Sequence, residues 1–182
     1  MYGYVKVGSA VPKLRVADCV YNKEEILKLV EAAAAKQVRV LSFPELSVTG
    51  YTCADLFFQA PLLHAAEQAI QEIAEATEAL NIFLLIGAPI AVDNQMFNCA
   101  VALYKGKLLG IVPKTHIPNY SEFYEERWFA SADDLLTEEI TYAGQNVPIG
   151  ADLIFAAADF PALKIGVEIC EDLWVPFPPV PI

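Results

Sequence analysis

Three reactive side chains follow short apolar runs of the sequence, each at the point where a strand is predicted to end. Glu45 follows the run at 38–43, Lys114 follows the run at 108–112, and Cys170 follows the run at 163–169. Ligands bind at the carboxyl edge of the strands in α/β sheets, so these groups could meet in one site. A carboxylate, an amine and a thiol brought together there could cleave an amide through a covalent intermediate.

The chemistry of the three groups gives each of them a role. A thiol at its ordinary pKa is mostly protonated at neutral pH, so Cys170 needs a base. The chain has two histidines, His64 and His116, so a Cys–His pair remains possible but has few candidate residues. A carboxylate can act as the base if burial raises its pKa toward the working pH. Glu45 is the candidate for this role. Lys114 would then stabilise the oxyanion of the tetrahedral intermediate.

Each of these residues also has an ordinary structural interpretation. A lone cysteine beside apolar residues is more often a packing residue than a nucleophile. A glutamate after Phe-Pro is usually a turn residue, and a lone lysine is usually solvated on the surface. The spacing by itself therefore leaves an enzyme and a non-catalytic protein equally open.

Short β-rich runs alternate with helical patterns, which predicts a layered α/β (α+β) domain. Strands are predicted at 4–9, 38–43, 82–86, 97–104, 108–112, 153–156 and 163–169. In the last of them the apolar residues alternate, from Leu163 to Ile169, which predicts that these side chains share one buried face. One helix is predicted to begin at Asn22, with Glu25 three residues later as in a capping box. A second is predicted to begin at Pro61, with a buried apolar stripe at helical spacing formed by Leu62, Leu63, Ala66, Ile70, Ile73 and Leu80.

Turn residues divide these elements. The strand at 82–86 is expected to stop at the breakers in 87–89, and Gly106 lies in a turn sequence that predicts a hairpin between the runs at 97–104 and 108–112. The segment 117–151 has less regular patterning. A stretch of this length between strands is more often functional than inert.

Composition excludes several classes of protein. The net charge of −11, with seven acidic residues and one basic residue at 122–139, argues against a nucleic-acid partner. Four scattered cysteines without a C-x-x-C pair predict neither a zinc site nor a disulfide framework. The N-terminus does not have the pattern of a signal peptide. Because the apolar run at 82–92 is shorter than the roughly 20 residues of a membrane span, we expect no membrane partner and a cytoplasmic location.

Longer motifs surround each of the three residues, and they resemble the glutamate, lysine and cysteine motifs of the nitrilase superfamily. They are Phe-Pro-Glu-Leu-x-x-Thr-Gly-Tyr at 43–51, Pro-Lys-Thr-His-Ile-Pro-Asn-Tyr at 113–120 and Gly-Val-Glu-Ile-Cys-Glu-Asp-Leu-Trp at 166–174. The flanking sequences at 49–57 and 118–129 make the resemblance more specific. They resemble the amidase domain of the glutamine-dependent NAD synthetase family.

The resemblance implies a nitrilase-like α-β-β-α sandwich that hydrolyses glutamine. In this family the ammonia passes to a synthetase domain, which uses ATP and magnesium to convert deamido-NAD to NAD. Residues 1–182 would be the N-terminal part of the glutaminase domain, so no cofactor is expected in this chain. The resemblance also implies a homo-oligomer. A stand-alone nitrilase-fold amidase for another small amide, or a non-catalytic fragment, remains the alternative.

The resemblance also assigns roles to further residues. Glu45, Lys114 and Cys170 match the catalytic triad of the family. Tyr120 and Phe123 match positions near the glutamine pocket, and Glu171 matches a residue that meets the α-amino group of glutamine. The backbone N–H of Glu171 would help Lys114 hold the oxyanion. Glu125 is the predicted supporting carboxylate, with Glu122 as its competitor.

Overall fold

A mixed sheet of five strands is the centre of the fold in the computed structural model, which describes residues 3–180. Its strands are β1 (Val7–Ser9), β2 (Val40–Ser42), β3 (Phe83–Val92), β4 (Gln95–Tyr104) and β5 (Lys107–Pro113), in that spatial order. The first three run parallel to one another, and β3, β4 and β5 are antiparallel neighbours. The predicted α/β class is confirmed.

Two helices, α1 (Cys19–Ala35) and α2 (Ala60–Ala76), pack together with one face of this sheet in the main apolar core. Pro61 lies in the first turn of α2, as predicted. The apolar stripe of α2 is buried at the helical spacing expected from its sequence, including Leu62, Ala66, Ile70 and Ile73. Neither helix of the described chain has the length and apolar character needed to span a bilayer.

The predicted start of α1 at Asn22 is wrong. Asp18 is the N-cap, and its side chain accepts a hydrogen bond from the backbone N–H of Tyr21 at 3.0 Å. Asn22 lies inside the helix and is fully buried. Its amide group donates to the carbonyl oxygens of Arg15 and Val48 at 2.8 and 2.9 Å, so it fastens α1 to the turn after β2.

The predicted end of β3 at residue 86 is also wrong, because the strand continues through Gly87 and Pro89. The carbonyl oxygens of Leu85 and Gly87 accept hydrogen bonds from the segment that follows β2. Pro89 shares their orientation in the strand, so its missing N–H faces away from β4, where a ladder hydrogen bond would be needed. The predicted hairpin between β4 and β5 is confirmed, with Lys105 and Gly106 both at positive φ in the turn.

The segment expected to be irregular contains regular structure in its second half. A hairpin of β6 (Glu139–Tyr142) and β7 (Gln145–Pro148) extends the core beside β5. Its turn residues Ala143 and Gly144 both have positive φ. Gly144 was therefore a turn signal in the sequence, whereas Ala143, the other residue of the turn, was not.

The opposite face of the sheet carries a smaller apolar cluster that includes Ala100, Val112, Val167 and Ile169. A pair of two-residue strands, β8 (Phe155–Ala156) and β9 (Lys164–Ile165), packs near it. The strands predicted at 153–156 and 163–169 are therefore too long. Val167 and Ile169 are buried as the alternating pattern predicted, although they pair with no strand in the described chain.

Candidate active site

The turn that carries Glu45 follows β2 and lies directly against β3. The backbone N–H of Val48 donates to Gly87 O at 3.1 Å, and Leu46 adopts a positive φ of 52°. A Cβ atom at Gly87 would meet the backbone of Leu46, Pro44 and Glu45. Glycine is required there because the chain passes too close for any side chain.

Lys114 follows β5, and its backbone N–H donates to the carbonyl oxygen of Asn98 in β4 at 2.8 Å. Its side chain is fully buried between two carboxylates. The Nζ atom lies 2.7 Å from Glu45 Oε1 and 2.9 and 3.1 Å from the two carboxylate oxygens of Glu125. The structure thus brings together two of the three predicted catalytic residues and the predicted supporting carboxylate.

Glu125 and Glu122 occupy different environments. Glu125 begins a 3-10 helix, Glu125–Arg127, and is 1% exposed. One of its oxygens also accepts a hydrogen bond from the Tyr51 hydroxyl at 2.6 Å. Glu122 is exposed. Of the two candidates for the supporting carboxylate, the geometry favours Glu125.

The charges of this cluster keep Lys114 protonated. Burial lowers the pKa of Lys114, but the charges and hydrogen bonds of Glu45 and Glu125 outweigh it, and the pKa lies above its ordinary value. Lys114 is therefore a fixed positive charge at neutral pH. It can stabilise a developing anion but cannot act as a base.

Cys170 begins another 3-10 helix, Cys170–Leu173, and has a φ of 49°, in the left-handed region that non-glycine residues rarely adopt. It is the exposed cysteine, whereas Cys19, Cys53 and Cys99 are buried. Partial burial and then the negative charge of Glu45 raise its pKa, while Lys114 acts against them. The thiol is thus protonated at neutral pH, and Glu45 is the carboxylate that acts on it most strongly.

Asp172 is a buried residue that the sequence analysis missed. Its carboxylate, 1% exposed, accepts hydrogen bonds from the backbone N–H groups of Thr115, His116 and Ile169 at 3.2, 2.8 and 3.2 Å. These bonds tie the turn of Cys170 to the segment just after Lys114. The bond to Ile169 N–H follows the spacing of a capping box, which is a signal that could have been read.

Asn98 is a second missed residue, and it lies in the middle of β4. It is fully buried, and its Nδ2 atom donates to Glu45 Oε1 at 2.5 Å. An asparagine inside an otherwise apolar strand is a signal for a satisfied internal polar group. Its partner could not be read from the sequence.

The predicted substrate residues lie on the exposed side of this site. The Tyr120 hydroxyl donates to Glu171 Oε2 at 2.9 Å, and this hydrogen bond raises the pKa of Tyr120. The half-buried ring of Phe123 packs edge-on against Tyr120, with 6.0 Å between the centroids. A cavity of about 890 Å³ is lined by Tyr120, Glu171 and Thr115, the sequence neighbour of Lys114, but none of the three predicted catalytic residues lines it.

A carboxylate, a thiol and a fixed ammonium in one site could together form and cleave a covalent acyl intermediate on sulfur. Among residues 3–180, no group of three or more His, Cys, Asp or Glu side chains is arranged to hold a metal ion.

The carbon-nitrogen hydrolase family matches residues 6–180, and the chain belongs to that family. It is 38% identical over 177 residues to the glutamine-dependent NAD(+) synthetase of Mycobacterium leprae, a match that covers 97% of this chain and 26% of the relative. The chain thus spans about a quarter of the length of the curated relatives it matches.

Solved structures agree with this assignment. The crystal structure of a glutamine-dependent NAD(+) synthetase from Cytophaga hutchinsonii has a TM-score of 0.83 at 30% identity, covering 92% of this chain and 28% of that chain. An amidase from Nesterenkonia sp. AN1 shares the fold, with a TM-score of 0.67 at 16% identity over 92% of this chain and 59% of that chain. The expected nitrilase-like fold is confirmed.

Proposed function

We propose that the protein hydrolyses the side-chain amide of glutamine and supplies the ammonia for conversion of deamido-NAD to NAD. The observation that carries the proposal is the buried Lys114 ammonium, held between Glu45 and Glu125 and acting on the exposed Cys170 thiol. Family membership supports the cleavage of a carbon–nitrogen bond. The names of the relatives support glutamine as the substrate and NAD as the final product.

In the first step Glu45 accepts the thiol proton of Cys170, and the sulfur attacks the amide carbon. A C–S bond forms, and the carbonyl oxygen becomes an oxyanion. Lys114 Nζ and the backbone N–H of Glu171 stabilise that oxyanion. Glu125 acts through Lys114, because its carboxylate holds the ammonium in place.

In the second step the C–N bond breaks, and Glu45 returns its proton to the leaving nitrogen, so that ammonia departs. The product left on the enzyme is a thioester. Water then gives a proton to Glu45 and attacks the thioester carbon. The C–S bond breaks, glutamate is released, and the sulfur of Cys170 recovers the proton.

The exposed Tyr120–Glu171 pair is the proposed recognition site for glutamine. The carboxylate of Glu171 suits the α-ammonium group, because an opposite charge at hydrogen-bond distance gives a strong, oriented contact. Phe123 supports the ring of Tyr120. ATP, magnesium and deamido-NAD belong, in this proposal, to a synthetase domain outside residues 1–182, and the assembly is a homo-oligomer.

The test replaces Cys170 with alanine in the intact protein that carries this chain. We expect glutaminase activity to disappear while NAD synthesis supported by free ammonia continues, because ammonia bypasses the thiol. Release of glutamate and formation of NAD are measured on the same preparation. Equal loss of both activities, or loss of neither, would contradict the proposal. Hydrolysis of another small amide, with glutamine unchanged, would instead favour a stand-alone amidase.

A further inference from the structure

Asn98 is a fully buried polar side chain between the buried residues Phe97 and Cys99 of β4. Burial of an amide group is costly unless its atoms form hydrogen bonds. Its Oδ1 atom has no hydrogen-bond partner in the described part of the chain. The hydrogen bond that offsets its burial is the one from Nδ2 to Glu45 Oε1, at 2.5 Å.

The direction of this hydrogen bond follows from the chemistry of the two groups. An ionised carboxylate can only accept hydrogen bonds, so the amide nitrogen of Asn98 is the atom that faces Glu45. The backbone carbonyl oxygen of Asn98 meanwhile accepts a hydrogen bond from the backbone N–H of Lys114 at 2.8 Å. One residue thus contacts both the predicted base and the backbone that carries the predicted cation.

The two oxygens of Glu45 have different surroundings. Oε1 accepts hydrogen bonds from Lys114 Nζ at 2.7 Å and from Asn98 Nδ2. Oε2 accepts no hydrogen bond from residues 3–180. A carboxylate with one oxygen held by two donors, one in β4 and one just after β5, is restricted in rotation, and its other oxygen remains available to accept a proton.

We propose that Asn98 is a positioning residue that holds Glu45 Oε1, so that Glu45 Oε2 receives the thiol proton of Cys170. Asn98 itself neither touches the substrate nor exchanges a proton. In the step that it supports, the S–H bond breaks and an O–H bond forms at Oε2. This inference rests on the proposed glutaminase function and adds a residue that the motifs of the chain do not include.

The first variant is Asn98→Leu in the intact protein, a change of similar size that removes both polar atoms of the amide. Stability should be retained, because the unpartnered Oδ1 is removed along with the donor. We expect kcat for glutamine hydrolysis to fall by about 10- to 100-fold, the scale for a misplaced catalytic group. KM should change little, because the substrate contacts are intact.

The second variant is Asn98→Asp, which keeps the shape and places another carboxylate beside Glu45. Two adjacent carboxylates bind a proton more readily than one. The acid limb of the kcat/KM profile should therefore move to higher pH, by about one unit or more. The rate of Cys170 alkylation by iodoacetamide, followed against pH, should report the same shift. Unchanged profiles would show that the carboxylate beside residue 98 is not the group whose proton uptake limits catalysis at low pH.

Ser47→Ala is the matched control. Ser47 is equally buried and lies in the same turn as Glu45, but its hydroxyl has no partner in the described chain. Its kcat and pH profile should equal those of the wild type. Urea unfolding checks the folding of every variant.

The outcomes are distinguishable. A wild-type protein without glutaminase activity and with an inert Cys170 would overturn the proposed function, and the inference with it. An active wild type would overturn the inference alone if Asn98→Leu keeps the wild-type kcat and Asn98→Asp keeps the wild-type acid limb. A fall in kcat with an unchanged KM in the first variant and a shifted limb in the second would support it.

Discussion

Replacing Lys114 with methionine removes the ammonium but keeps an unbranched stem in the same space. The change leaves Glu125, which is 1% exposed, and Glu45, whose side chain is 16% exposed, without their cation. Removing one partner of a buried ion pair costs about 3–5 kcal/mol of stability, because the remaining charge is uncompensated. Loss of the oxyanion contact should reduce kcat by about 10²- to 10³-fold.

The effect of pH on this variant has a definite sign. The pKa of Lys114 in the folded protein lies above its ordinary value of 10.5, so its stabilising contribution is complete below about pH 10.5. It is lost as the pH rises through the folded-state pKa. In Lys114→Met the two carboxylates can relieve their repulsion by binding a proton. The stability difference between the variant and the wild type should therefore shrink as the pH is lowered from neutrality.

Urea unfolding and glutaminase kinetics, measured on the intact protein from pH 5 to pH 8, provide the assay. The double variant Lys114→Met/Glu125→Gln is the control, because it removes the cation together with the more deeply buried carboxylate. It should regain part of the lost stability but none of the lost turnover. A Lys114→Met protein with the stability and turnover of the wild type would refute the description of Lys114 as a buried, charged member of the site.

Three further predictions concern the surroundings of the site. In Asp172→Asn an amide nitrogen replaces the oxygen that accepts the N–H of Ile169, so the free energy of unfolding should fall by about 1–3 kcal/mol. Urea unfolding measures this change, and an unchanged midpoint would contradict it. Gly87→Ala places a Cβ 2.7 Å from Pro44 O, so the turn that carries the base must shift; turnover should fall, and a crystal structure with an unmoved turn would show otherwise. Residues 1–182 expressed alone should expose apolar surface and lack glutaminase activity, because two-residue strands cover the second face of the sheet; dye binding and size-exclusion chromatography check this, and a monomeric, active fragment would rule it out.

The sequence by itself predicted most of the local elements and indicated the candidate reactive groups. Helical spacing predicted the buried stripe of α2, and the turn sequence around Gly106 predicted the hairpin between β4 and β5. These features depend on neighbours within one turn of helix or one tight turn, which a sequence lists in order. The motifs likewise indicated Glu45, Lys114 and Cys170, because each lies in a short, characteristic run of residues.

The structural effect of strand-breaking and helix-capping residue types depends on their tertiary contacts. Gly87 and Pro89 would end an isolated strand, yet in β3 they lie where a turn of the chain passes close and no ladder partner is needed. Asn22 has the sequence of a helix cap, but it is buried inside α1. For Gly87 and Pro89 the deciding contact comes from a segment remote in sequence, whereas the start of α1 is set by the nearby N-cap Asp18.

Only the tertiary structure decided which polar groups share the site. Asn98 meets Glu45 across 53 positions of sequence, and Asp172 meets the backbone of His116 across 56. A buried polar group must find a hydrogen-bond partner, but its own sequence neighbourhood does not say which one. The order of the strands in the sheet brings these distant segments to one edge, and that order fixes which groups can form these pairs.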